Sequence, residues 1–192
     1  FDGEKFQNYT SSEYLIDAQI NAIFKRKDGG IWVVSLKGIT SFNQEEIITK
    51  DLSQEIDNGN IYDAVEDSEG NVWCLVYKKG LLKIPYDKTE PLVFEKFTET
   101  FVTIELTEGG ELYLSGKEGG IKKMTLSTKA ETTIKTDHPN IRTRWIKEFS
   151  GDTLVGADLG HMFFVVNGLI QPFFNHNHIN ATREIFIDSK TF

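Results

Sequence analysis

The chain has one cysteine and four prolines in 192 residues. A single cysteine, Cys74, excludes a disulfide framework or a cysteine zinc site built within the chain. So few prolines exclude long polyproline linkers. No run of about 18 apolar residues occurs, so no helical membrane span is written into the sequence. The 21 Lys and Arg never form a block, and 29 Asp and Glu leave a formal net charge of −8. An acidic surface repels phosphates, which argues against nucleic acid as a partner. The plain reading of the acidity is solubility. No signal peptide is visible, because "FDGEKFQNYT" is polar from its first residues. The chain reads as though it began in mid-domain, which points to a piece of something longer.

What is present is apolar and aromatic. Hydrophobic residues make up 39% of the chain, with 14 Phe, 6 Tyr and 3 Trp. That composition fits one globular domain with a substantial core. The stretch "DSEGNVWCLVYKKGLLKI" (residues 67–84) places a turn, a Trp, a short apolar run, a Gly and a second apolar run in close order. The pattern recurs. Trp73 lies 41 residues after Trp32, Tyr113 lies 40 after Trp73, and Leu154 lies 41 after Tyr113. Gly38, Gly80, Gly120 and Gly160 keep step downstream. Two anchors that move together over four copies define an internal repeat.

Each copy opens with an alternating strand: "INAIFKR", "IYDAVED", "FVTIELT" and "IRTRWIK". A tight turn follows at Gly29-Gly30, Gly70-Asn71, Gly109-Gly110 or Gly151-Asp152, pairs that suit two-residue hairpins. The Trp strand is second, a Gly-led strand third, and a more polar segment fourth. Four strands in about 40 residues, repeated, predict an all-β architecture, the β-propeller blade. A β-sandwich of evenly spaced strands is the alternative. The expected fold is a β-propeller fragment with four complete four-stranded antiparallel blades, over residues 20–59, 60–100, 101–140 and 141–178. Partial blades are expected at residues 1–19 and 179–192. Trp32, Trp73 and Tyr113 are expected between blades, and Cys74 is expected to be a small buried apolar residue.

"IYDAVEDSEGNVWCLVYKKGLLKI" and "KRKDGGIWVVSLKGITSFN" resemble the two-component regulator propeller repeat. Its pattern is an apolar strand, Asp-x-x-Gly-x-Φ-Trp, a short run, and Gly-Leu leading into another strand. "FDGEKFQNYT" resembles the family's spacer between units. The likeness is strong over residues 1–87 and weaker beyond, where Tyr113 and Leu154 replace the Trp. It implies an extracytoplasmic, periplasmic sensor domain N-terminal to a membrane anchor and a kinase or cyclase. It also implies a carbohydrate or other small ligand, and a homodimer or a neighbouring propeller as partner.

In a propeller, the loop leading into the first strand and the loop between the second and third strands open on one face. All four His map there: His138, His161, His176 and His178. Asp158, Arg142 and Arg183 map to the same rim, with Asn21 and Tyr62 in the corresponding place of earlier blades. Paired Arg suit a carboxylate or sulfate held bidentately. Trp145 and Tyr62 offer faces on which a sugar can stack. The bland readings are that loops are polar anyway, that Arg142 pairs with acidic neighbours, and that Trp145 is core. The candidate ligand-binding set is therefore His138, Arg142, Trp145, Asp158, His161, His176, His178, Arg183 and Tyr62. No catalytic residue, metal or cofactor is expected. "GGELYLSGKEGG" lacks the Gly-Lys-Ser/Thr ending of a phosphate loop and precedes a strand. The expected role is ligand binding in a two-component receptor. The rivals are an enzyme resembling the streptogramin lyases, which use loop His with magnesium, and a protein-binding scaffold.

Overall fold

The computed structural model describes residues 8–9, 14–43, 46–86, 92–116, 120–134, 143–149, 152–157, 161–166 and 169–175. Sixteen strands form four sheets, and among the described residues there is no α-helix, hence none long and apolar enough to cross a membrane. Blade one is β1 (Ile20–Lys25), β2 (Ile31–Ser35), β3 (Gly38–Phe42) and β4 (Ile47–Asp51). Blade two is β5 (Ile61–Glu66), β6 (Val72–Val76), β7 (Gly80–Ile84) and β8 (Val93–Lys96). Blade three is β9 (Phe101–Leu106), β10 (Glu111–Gly116), β11 (Ile121–Thr125) and β12 (Glu131–Ile134). Blade four is β13 (Thr143–Phe149), β14 (Asp152–Ala157), β15 (His161–Val166) and β16 (Leu169–Asn175). In each blade the strands pair antiparallel in chain order. The first strands β1, β5, β9 and β13 stand side by side and wall a common groove. The expected four-bladed, all-β arrangement is therefore present. The terminal partial blades fall largely or wholly outside the described residues.

Three interblade cores hold the sheets together. Ala22, Phe24, Trp32 and Val34 of blade one meet Ala64, Val72, Cys74 and Val76 of blade two. Val65, Trp73 and Leu75 meet Ile104, Leu112 and Leu114 of blade three. Tyr113 meets Ile146, Phe163 and Val165 of blade four. The anchor on each second strand thus faces the following blade. Leu52 and Ile56, in the crossover from blade one to blade two, are fully buried and plug the first of these cores. Cys74 is fully buried there, and burial pushes its thiol up to about 12.

The first turn of blades one to three departs from the expected two-residue hairpin. In blades one to three the loop has three residues, 27–29, 68–70 and 108–110. Arg26, Asp67 and Thr107 close each loop by backbone bonds in both directions. Only one residue per loop has positive φ: Gly29, Gly70 or Gly110. This is the three-residue hairpin, in which the glycine supplies the left-handed step. In blade four, pairing continues to Phe149 and Asp152, which leaves two residues between the strands. Gly80 has a second reason to be glycine. Its φ is +124°, and a Cβ there would collide with the Glu95 carbonyl.

Blade two explains why the motif contains Asp, Asn and Trp. The Asp67 carboxylate accepts from the Trp73 indole Nε1 at 2.8 Å and from the Asn71 Nδ2 at 2.9 Å. It also accepts from the backbone amides of Glu69 and Asn71 at 3.0 and 2.9 Å. Asn71 Oδ1 in turn accepts the Tyr86 amide at 3.0 Å. A buried carboxylate so furnished with donors locks turn, strand and the next loop into one unit. Blade one lacks this acceptor. Arg26 occupies the place of Asp67, with its guanidinium 4.8 Å from the Trp32 ring centroid. The Trp32 indole N–H has no partner, and the side chain is half-buried rather than largely buried as expected.

Trp73→Ala is therefore expected to lower unfolding free energy by about 3–5 kcal/mol. Trp32→Ala is expected to cost about half as much, because less area and no indole hydrogen bond are lost. Urea denaturation of the two variants checks both. Equal losses would overturn the distinction.

Candidate binding groove

The four first strands curve around a groove of about 710 Å³. Its walls are the inner strands themselves, lined by Asn21, Tyr62, Val102 and their neighbours. Lys37, from the β2–β3 turn, donates to the Asn58 and Gly59 carbonyls and to Asn60 Oδ1 at 3.1, 2.6 and 3.0 Å. Lys79, from the β6–β7 turn, holds Asp57 Oδ2 at 3.0 Å. These bonds brace a loop in which Asp57 and Asn58 both have positive φ. Strained backbone of this kind persists only where its surroundings hold it.

Every inner strand carries a bulge near its start, at Asn21, Tyr62, Val102 and Arg144. Bulges re-aim side chains at the rims of sheets. Asn21 uses its bulge to donate from Nδ2 to the Ile61 carbonyl at 2.5 Å, tying blade one to blade two. Tyr62 lies stacked on Tyr77, with centroids 4.5 Å apart and planes at 13°. Burial, and then Tyr77, raise its phenol above the ordinary value. Blade four differs from the expectation. Its bulge falls at Arg144, so Arg144 rather than Arg142 occupies the place of Asn21 and Tyr62. The shorter first turn of that blade shifts the count back from Leu154.

The predicted site residues are only partly placed. Tyr62 and Trp145 both line the groove. Trp145 is 6% exposed, so it offers little ring surface on which a sugar could stack. His161 opens β15, at the turn between the second and third strands of blade four. His138, Arg142, Asp158, His176, His178 and Arg183 lie outside the described residues. Among the described residues, no group of three or more His, Cys, Asp or Glu could hold a metal ion.

The groove also contains charged residues absent from the predicted set. Asp63 Oδ2 accepts from Thr103 Oγ1 at 3.0 Å and from the Ile104 amide at 3.2 Å. Its Oδ1 accepts from the Ala64 amide at 2.9 Å. Glu105 repeats the device one blade on, accepting from the Glu148 amide at 3.2 Å and from Lys147 Nζ at 3.0 Å. A signal was available in the sequence. "IYDAVE" and "FVTIEL" each place a carboxylate inside an otherwise apolar strand, and a carboxylate there needs donors from a neighbour. Asp63 is half-buried at the junction of blades two and three. Burial raises its carboxyl to about 6, against the opposing pull of the three hydrogen bonds and Lys147.

A folded-state value above the unfolded one means that the folded protein binds the proton more tightly. The stability so gained is present below about pH 4 and is lost as pH rises through about 6. Asp63→Asn removes this dependence. Measured in urea, the variant is expected to gain on the wild type between about pH 4 and about pH 7. A constant difference across that range would mean that Asp63 ionises like an exposed carboxylate.

No family model matches this chain, and no curated protein matches it. Solved structures do. The extracellular domain assigned to a hybrid two component system of B. thetaiotaomicron superposes over 95% of this chain with a TM-score of 0.71 at 17% identity. A second such domain from the same organism gives 0.64 over 87% at 20% identity. A streptogramin B lyase gives 0.69 over 82% at 14% identity. The chain has the β-propeller fold. At these identities the likeness is one of fold. The chain spans 28% and 24% of the two receptor domains and 55% of the lyase.

Proposed function

We propose that this propeller is a ligand-binding part of an extracytoplasmic sensor in a two-component receptor. The observation that carries the reading is the groove on the inner strands. It combines Tyr62, held by its stack on Tyr77, bulged strand starts, and hydrogen-bonding side chains of both charge signs. Such a mixture of one apolar wall with a few placed polar groups suits recognition of a small polar ligand. The motif resemblance in residues 1–87 and the fold likeness to receptor extracellular domains point the same way. A carbohydrate is the first class to test, and acidic oligosaccharides lead it because the repeat pattern of the sequence assigns Arg142 and Arg183 to one rim, where forked donors suit a carboxylate or sulfate. Signalling requires that the ligand favour one arrangement of the receptor over another.

The test is a panel of acidic and neutral oligosaccharides screened by thermal shift, with titration calorimetry on those that raise the melting temperature. Tyr62→Ala is expected to weaken a binder roughly tenfold, as the loss of one well-made ring contact does. The same substitution is expected to cost about 0.5–1.5 kcal/mol of stability through the lost Tyr77 pair. Undiminished affinity in folded Tyr62→Ala would move the site away from this groove.

A second reading is favoured by the four His that the sequence pattern assigns to one face and by the lyase superposition over 82% of the chain. It makes the protein an enzyme acting on streptogramin-type substrates. Incubation with a streptogramin B and magnesium, followed by mass spectrometry, separates the two. Conversion of the antibiotic by the wild type and its loss in His161→Ala would displace the sensor reading.

A further inference from the structure

Blades one and two use the same turn with opposite chemistry. Arg26 closes its loop by backbone bonds to Gly29 and Gly30, and Asp67 closes the matching loop by bonds to Gly70 and Asn71. In blade two the Asp67 carboxylate accepts the Trp73 indole N–H at 2.8 Å and the Asn71 amide at 2.9 Å. In blade three Thr107 Oγ1 accepts the Glu111 amide at 3.1 Å. Blade one passes that duty to Asp28, whose Oδ1 accepts the Gly30 amide at 3.1 Å. Of the three turns, that of Arg26 alone has a side chain with no acceptor to offer its anchor.

Two buried donors result. Among the described residues, the Trp32 Nε1–H and the Arg26 Nε–H are buried without a hydrogen-bond partner. The guanidinium carbon is 4.8 Å from the indole centroid, so both N–H groups belong to one contact. The far end of the guanidinium is engaged, with Nη2 donating to Asp28 Oδ2 at 2.6 Å. A buried donor left without an acceptor is costly, and here two share one contact. The local charge is also distinctive. Lys25, Arg26 and Lys27 form the longest basic run in a chain of net charge −8, and both lysines are exposed. Glu66 of blade two reaches this turn but accepts the Lys27 amide, at 2.9 Å.

We propose that Arg26 and Trp32 bind a compact monovalent anion, a halide or a carboxylate, in the role that the Asp67 carboxylate fills in blade two. Such an anion accepts from both N–H groups and meets a local field of matching sign. The site lies at the seam of blades one and two, since Trp32 packs against the core they share. Arg26 is its movable half. Asp28 is 48% exposed, so the ion pair that fixes the guanidinium faces water and yields easily to admit the ion. Once bound, the ion ties the blade-one turn to its anchor, and anion concentration then sets the stiffness of that seam.

The indole N–H signals of Trp32, Trp73 and Trp145 in nitrogen–proton correlation spectra test this, with Trp32→Phe assigning the first. Sodium chloride and sodium acetate are titrated separately. In at least one salt the Trp32 signal is expected to shift and saturate with a half-point below about 0.1 M. Trp73, already bonded to Asp67, is expected to stay in place. Saturation with chloride alone assigns a halide site, and saturation with acetate alone a carboxylate site. Arg26→Asp supplies the acceptor within the chain, so its Trp32 signal is expected near that of Trp73 and indifferent to both salts. Arg26→Met keeps the bulk, removes the donor and guards against an Asp variant that fails to fold; it is expected to bind at least about tenfold more weakly. A wild-type Trp32 signal that only drifts in proportion to salt up to about 0.5 M, as general screening produces, would overturn the proposal. So would a folded Arg26→Met that saturates at the wild-type half-point.

Discussion

A four-stranded sheet has two faces, and one blade of this size cannot bury either of them by itself. The whole structure follows from that constraint. Blades two and three are apolar on both sides because each is the wall of two cores. The anchor of one second strand fills the space left by smaller residues on the next blade. Trp32 lies over Ala64, Val72 and Cys74, and Trp73 over Ile104, Leu112 and Leu114. Stability is then nearly a sum of nearest-neighbour terms, as in other repeat architectures.

Burial joins the blades at their faces, but hydrogen bonds set their spacing at the groove. The inner edge of a propeller blade exposes backbone amides that no further strand pairs. Asp63 and Glu105 meet this need by accepting an amide from the following blade, while Glu66 and Glu148 accept one from the preceding blade. The same carboxylates then become the chemistry of the groove wall. Structure and recognition draw on one set of residues, so a ligand that competed for Asp63 would also act on the junction of blades two and three.

Much of the fold was legible in the sequence because the repeat encodes it twice, in the Trp anchors and in the glycines after them. The strand order and blade count follow from those two markers. Turn geometry was less legible. Gly-Gly and Gly-Asn suit two loop lengths equally, and the choice is settled by the backbone pairs at Arg26, Asp67 and Thr107. The bulges left no mark either, because Asn21, Tyr62, Val102 and Arg144 share no side-chain chemistry. That is why Arg142 was expected where Arg144 sits. Of the candidate site, Tyr62 and Trp145 were found on the groove. The carboxylates on its wall, Asp63 and Glu105, carry no loop signature because they sit inside strands, and their donors come from the neighbouring blade.

The Asp67 network has a further consequence, for the order in which the chain folds. Asp67, Asn71 and Trp73 span seven residues, so closing their loop costs little chain entropy. The hairpin of β5 and β6 therefore gains a charge-assisted, largely native set of bonds before any distant pairing is made. Blades one and three lack such a buried acceptor for their aromatic anchors and gain most of their stability from neighbours. Blade two is then the natural nucleus, and folding spreads outward from it in both directions along the array.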